Sequence, residues 1–149
     1  MKGSLAEMDG RRITVEVPAT SANLGAGFDC LGLALDLVNT IELEVHSRRP
    51  GEVELAVEGE GAGELVAERS NRFVRGLETA LFRALGEAPN RTGWRLRMKN
   101  NVPLERGLGS SAAAVVAGLV AGNVLAGEPL TATDLLSAAT DIEGHPDNV

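Results

Sequence analysis

Cysteine is nearly absent. Cys30 stands alone in 149 residues, so no disulfide framework can form inside the chain. Tyrosine is missing, and one Trp and three Phe leave little aromatic surface on which bases could stack. With a formal net charge of −7 as well, nucleic acid is a poor partner. Long apolar runs are also lacking: the stretch from Ala112 to Ala121 is short, contains Gly118, and falls well below the ~18 apolar residues of a spanning helix. No membrane insertion is expected. The start, MKGSLAEMDGRR, has no apolar segment of the signal-peptide kind, and a cytoplasmic enzyme is the expectation. An acidic chain can still take up an anion where backbone N–H groups and a metal ion supply a local positive field.

What is present fits one domain of ordinary size, able to bury about 68–70% of its unfolded surface. Four segments alternate apolar and polar residues with the period of a half-buried strand: Ile13/Val15/Val17, Ile41/Leu43/Val45, Val53/Leu55/Val57 and Trp94/Leu96/Met98. Their other faces carry Thr14, Glu16, Glu42, Glu44, Glu52, Glu54, Arg95 and Arg97, so one side of the sheet stays wet. Phe73, Leu77, Leu81 and Leu85 recur at helical spacing and end near Gly86 and Pro89. A second helix, apolar nearly all round and hence buried, is expected from about Ser111 to Leu125. A third begins at Thr131, where Thr131-x-x-Asp134 has capping-box form, and runs towards Glu143. The fold class read from this order is α+β, a mixed and mostly antiparallel sheet backed by helices. Six glutamates between Glu52 and Glu68 read as a solvated face, and Gly59-Glu60-Gly61-Ala62-Gly63 as a flexible connection.

The most informative segment is Pro103-Leu104-Glu105-Arg106-Gly107-Leu108-Gly109-Ser110-Ser111-Ala112-Ala113, after a strand and before the buried helix. Gly107 and Gly109 admit positive φ and let the backbone approach a ligand, while the uncapped N–H groups of the helix point into the loop. Ser110 and Ser111 can cap the helix, and one hydroxyl can turn to a phosphate or a metal ion. The segment is an anion cradle, although no Gly-Lys-Ser/Thr follows and no lysine is there to reach the phosphates.

That segment resembles the second motif of the galactokinase, homoserine, mevalonate and phosphomevalonate (GHMP) kinase superfamily. The resemblance implies the superfamily's N-terminal domain fold, of the ribosomal protein S5 domain 2 kind. It also implies ATP with its triphosphate over residues 103–113, and Mg²⁺ with Ser111 as a ligand. Near the N-terminus, Pro18-Ala19-Thr20-Ser21-Ala22-Asn23-Leu24-Gly25-Ala26-Gly27-Phe28-Asp29 leaves a strand for a glycine-bearing loop. On its own, Asn23 suits an Asx-turn and Asp29 a cap, or both suit a ligand. The segment resembles the first motif of homoserine kinases, which implies that Asn23 and Asp29 contact homoserine, Asp29 facing its ammonium group.

The chain ends in Glu143-Gly144-His145-Pro146-Asp147-Asn148-Val149, similar to the family's Glu…His-x-Asp-Asn-Val segment in a short form. By that resemblance Glu143 binds Mg²⁺ and His145 contacts substrate; the alternatives are a solvated helix end and an exposed histidine. Asn71, in Ser70-Asn71-Arg72-Phe73-Val74, resembles the family's adenine-side asparagine, and Cys30 reads as a packed residue. The implied reaction carries the γ-phosphoryl group of ATP to the hydroxyl of L-homoserine, on the way to threonine, with no general base assigned. A kinase of another small alcohol and a non-catalytic nucleotide-binding module are the alternatives, and a homodimer is left open. The resemblance stops inside its third segment at Val149, while the family continues into a C-terminal domain. Residues 1–149 are therefore expected to be the N-terminal, ATP-binding domain, inactive by itself.

Overall fold

The computed structural model describes residues 5–22, 24–25, 31–86 and 92–149. Strands β1 (Arg12–Ala22) and β2 (Gly32–His46) pair antiparallel. Strand β4 (Gly93–Asn100) lies antiparallel on the other side of β2, and β3 (Val53–Gly59) closes the sheet parallel to β4. The order is β1-β2-β4-β3. Parallel neighbours need a crossover, and helix α1 (Arg72–Leu85) supplies it between β3 and β4.

Register follows from the alternation. Ile13, Leu43, Leu96 and Leu55 form one row across the four strands, and Val15, Ile41, Met98 and Val57 the next. These rows pack beneath Phe73, Leu77 and Leu81 of α1 and Ala113, Ala117 and Ala121 of α2 (Ser110–Leu125). Trp94 is fully buried, and its Nε1–H finds the carboxylate of Glu78 at 2.9 Å, satisfying its one polar atom. A second cluster, Val115, Leu119, Ala138 and Ala139 with Ala80, joins α3 (Ala132–Glu143) to the other two helices. The opposite sheet face carries the expected charges, aligned so that Arg12, Glu44, Arg95 and Glu54 alternate in sign across all four strands.

Helix ends follow local chemistry. Gly86, at φ 72°, closes α1 by giving its N–H to Phe82. Thr131 and Asp134 make the expected capping box at the start of α3, and the Thr131 hydroxyl holds the Asp134 carboxyl below the usual carboxylate range.

The structure differs from expectation in two connections. β2 starts nine residues before Ile41, because its first half extends a hairpin arm with β1 where no core enforces a greasy face. The pairing register shifts between Pro18 and Thr20, where a proline has no N–H to give the ladder. The segment 59–63 is also tied down: Glu60 N–H donates to Asn100 O at 3.0 Å, and Asn100 Nδ2 donates back to Glu60 O at 3.1 Å.

Candidate functional site

The glycine-serine segment joins the end of β4 to the start of α2, and each part of it is anchored. Buried Asn39 of β2 accepts the backbone N–H groups of Asn101 and Val102 at 2.8 and 2.9 Å, which fixes the entry to the loop. Leu108 O accepts the N–H of Thr20 from β1 at 3.1 Å, which fixes the exit. From Glu105 to the start of α2 every second residue, Glu105, Gly107 and Gly109, has positive φ (56°, 69° and 66°). Such alternation is how a backbone turns successive N–H groups to one side. Glu105 is strained there, since a side chain disfavours that region and glycine does not.

The serine cap is not what forms. Gly109 is itself the N-cap, left-handed and with no side-chain cap bond, and the first helical bond runs from Ala113 N–H to Gly109 O. The N–H groups of Ser110, Ser111 and Ala112 therefore have no acceptor within the helix, at the positive end of its dipole. This frees both serine hydroxyls. Ser111 Oγ donates to Glu143 Oε1 at 3.0 Å, bridging the start of α2 and the end of α3. The same oxygen lies 3.3 Å from the guanidinium of Arg72, at the start of α1. The Glu143 side chain is only 7% exposed, so three helix termini meet on one buried carboxylate.

Two hollows flank that point. A shallow one of about 270 Å³ is framed by the loop, Pro103 to Ala112, together with Glu143, His145 and Asn148. A second, about 360 Å³, shares Glu105, Ser110 and Ser111 with it and continues past Arg72 to an apolar end at Ile41, Leu65, Val66 and Met98. Asn71 lines the second hollow, but its Oδ1 is engaged in capping α1, accepting from Phe73 N–H at 3.0 Å. Ala113 faces inward to the core beneath the loop. His145 is exposed at the rim of the first hollow, its Nδ1 4.0 Å from Asp147 Oδ2. Asn23 and Asp29 lie outside the described residues, as does Cys30.

Sequence reasoning passed over four residues that build this site. Thr20 and Asn148, 128 positions apart, meet directly beneath Gly109, with Asn148 Nδ2 donating to Thr20 Oγ1 at 3.1 Å. Thr20 was visible within the first glycine-bearing segment and Asn148 within the last, yet neither had a role. Arg72 stood beside Asn71 without one. Asn39 carries no sequence signal, because what distinguishes it is its burial at 4% and the loop N–H groups it receives.

Ser111 and Glu143 are hard oxygen donors adjacent in space, a pair suited to Mg²⁺ held mainly by phosphates and water. Among the described residues no three His, Cys, Asp or Glu side chains cluster to form an all-protein cage.

Comparison with known proteins agrees with this geometry. A homoserine kinase of Carboxydothermus hydrogenoformans is 50% identical over 137 residues, covering 92% of this chain and 43% of that protein. The chain thus spans less than half the length of the curated relatives it matches. The crystal structure of homoserine kinase from Cytophaga hutchinsonii superposes with a TM-score of 0.75 at 33% identity, over 93% of this chain and 44% of that one. Mevalonate kinase of Methanococcus jannaschii, at 18% identity and a TM-score of 0.65 over 91% of this chain and 48% of that one, shares the fold. Residues 71–149, from the cap of α1 through the loop to the last residue, match the model of the GHMP kinases N terminal domain, and the chain belongs to that family.

Proposed function

We propose that this chain is the ATP-binding part of a homoserine kinase, which transfers the γ-phosphoryl group of ATP to the side-chain hydroxyl of L-homoserine. The products are O-phospho-L-homoserine and ADP, on the route to threonine, in the cytoplasm. The observation that carries the reading is the meeting of Ser111 and Glu143 at the bare N-terminus of α2, 3.0 Å apart. Unpaired N–H groups and a dipole suit phosphate oxygens, and a buried carboxylate beside a hydroxyl suits the cation that accompanies them.

In this reading the triphosphate lies in the shallow hollow over residues 105–112, with the nucleobase in the neighbouring apolar end. Mg²⁺, when held by Ser111 and Glu143, neutralises charge on the phosphates. The loop and α2 supply the rest of that neutralisation through N–H groups fixed in advance by Asn39 and Thr20, so little reorganisation is needed as charge develops. His145 borders the side from which the acceptor would approach. Asn23 and Asp29, from the first glycine-bearing segment, complete the acceptor site, Asp29 opposing the ammonium of homoserine. The names of the relatives support homoserine as the acceptor over other small alcohols.

The test separates binding from turnover. Isothermal titration of the chain with Mg-ATP is expected to show one site. ADP release is then followed with L-homoserine, L-threonine, mevalonate or galactose, both for the chain alone and with the remaining part of the Carboxydothermus relative added. Turnover confined to homoserine supports the proposal, and only the supplemented sample is expected to show it. Preference for another alcohol replaces the acceptor. Binding without turnover in either sample favours a nucleotide-binding module.

A further inference from the structure

We propose that Arg72 is a resident counter-ion of the cation site: it neutralises Glu143 while no metal is bound, and turns onto the nucleotide phosphates when one arrives. The inference rests on the reading of Ser111 and Glu143 given above. Its own ground is the asymmetry of the Arg72–Glu143 pair. The Glu143 side chain is 7% exposed and that of Arg72 46%, so a buried, fixed anion is held by a cation whose head reaches water. The pairs on the sheet face differ, since there both partners keep solvent contact, as with Arg95 and Glu54 at 40% and 39%.

Arg72 also occupies an unfavourable place for a cation. It is the first residue of α1, where the helix dipole is positive, and the first turn of that helix has no acidic residue to offset it. A local rule broken in this way points to a role outside the helix. The side chain lines the larger hollow together with Ser110 and Ser111 of the phosphate loop.

The exchange follows from electrostatics. A divalent cation and a guanidinium repel when both sit on one carboxylate oxygen, and the guanidinium is on the flexible stem. Displaced from Glu143, its planar fork meets the phosphates that bring the metal in, and arginine pairs with phosphate in bidentate fashion. Arg72 thereby balances the buried Glu143 carboxylate while no metal is bound, and it adds a side-chain contact to the phosphates beside the backbone N–H groups of the loop.

The experiment is a set of binding measurements on wild type, Arg72→Met and Arg72→Lys. Mn²⁺ alone is followed by the magnetic resonance signal of the free ion, and ADP by calorimetry at saturating Mg²⁺. Circular dichroism melts report the fold. In Arg72→Met, Mn²⁺ is expected to bind three- to tenfold more tightly, because no cation must be displaced, while ADP at saturating Mg²⁺ binds about tenfold more weakly. Arg72→Lys is expected to return Mn²⁺ affinity towards wild type. A purely structural tie between α1 and α3 would weaken both ligands together, and that result overturns the proposal. Unchanged ADP affinity overturns the phosphate contact. If Arg72→Met does not fold, the lysine variant decides: Mn²⁺ affinity near wild type with weaker ADP binding supports the proposal, and joint weakening overturns it. Wild type that binds neither Mn²⁺ nor ADP removes the underlying reading itself, which distinguishes the two failures.

Discussion

Helix α2 uses glycine in two regions for opposite ends. Ahead of it, Gly107 and Gly109 shape the loop; inside it, Gly118 and Gly122 meet α1, which contributes Gly76 to the same crossing. At the crossing a Cβ on Gly118 would overlap the carbonyl of Phe73, and one on Gly76 the carbonyl of Val115. One on Gly122 would come within 2.6 Å of Leu77 O. The obstacle in each case is backbone, which cannot turn aside as a side-chain tip can. In the loop the requirement is conformational at Gly107, where φ is 69° and a Cβ would meet open space. Gly109 combines both demands, with φ 66° and Thr20 Oγ1 and Asn148 directly behind it. Glycine in a helix interior costs about 0.5–1 kcal/mol relative to alanine. The crossing offsets that cost by close packing, whereas Gly107 faces open space and is needed for its conformation alone. Fold and site are therefore separable by substitution.

The strongest attempt to break this separation is Gly118→Val. Forcing a branched side chain between two packed backbones is expected to cost at least about 4 kcal/mol, the diagnostic end of single-substitution effects. That is a large share of the ~5–15 kcal/mol that holds a domain folded. Urea denaturation followed by circular dichroism measures it, and a midpoint like that of wild type would refute the role assigned to the crossing. Second in size is Gly109→Ala, which strains the left-handed cap and presses on Thr20. Stability is expected to fall by about 1–3 kcal/mol, the range for strained backbone, while Mg-ATP affinity falls at least tenfold. Gly107→Ala, its partner in open space, bears only the conformational cost of about 1–2 kcal/mol. If calorimetry finds equal losses of affinity for the two, the junction beneath Gly109 is irrelevant to binding.

Much of this was legible in the chain, and the reason is locality. The alternation of Ile41, Leu43 and Val45, the capping box at Thr131, and the glycines around Leu108 depend on neighbours within a few residues. The rest depends on where distant segments meet. Arg72 and Glu143 are brought together by α1 and α3, and Thr20 and Asn148 by β1 and the chain's last turn. No periodicity encodes such pairs. Of the two uses open to the serine hydroxyls, capping is not taken up, for a related reason: Ser111 donates to Glu143, a partner that only the tertiary fold supplies. Asn71 shows how a motif residue can hold two places at once, capping α1 while lining the hollow.

A smaller effect on the fold, confined to the ligand, is expected from Glu143→Gln. The amide keeps the shape of the carboxylate and still accepts from Ser111, so the melting temperature should change little. Loss of charge weakens a hard cation's hold, and the Mg²⁺ concentration needed for half-maximal ATP binding is expected to rise about tenfold. A Mg²⁺ titration at fixed ATP measures this. An unshifted curve would show that the carboxylate belongs with the structural crossing and not with the site.

The smallest effect is expected on the charged face of the sheet, which takes part in neither region and so sets the baseline for both. There Arg95 donates to Glu54 at 2.6 Å, and Arg49 reaches the other oxygen of the same carboxylate at 2.6 Å. The hydrogen bond from Arg95 holds the Glu54 carboxyl below the ordinary carboxylate range, aided by the charges of Arg95 and Arg49 and opposed by partial desolvation. A depressed folded-state pKa means that the unfolded chain takes up the proton first as pH falls. The stabilisation is therefore complete above the ordinary carboxylate range and is lost as pH drops through the folded value. Glu54→Gln should lower the melting temperature slightly at pH 7 and less at pH 2.5, because wild type sheds the same charge as pH falls through the folded value. Salt should shrink the difference at pH 7, because both partners touch solvent and exposed pairs are screened. Thermal melts at the two pH values, each at 20 mM and 500 mM salt on the order of the limits where screening is weak and strong, measure the effect. A shift at pH 7 exceeding that of Gly107→Ala would mean that the ladder from Arg12 to Glu54 acts as a connected network. The ordering of backbone contact above loop geometry above surface charge would then fail at its lowest step.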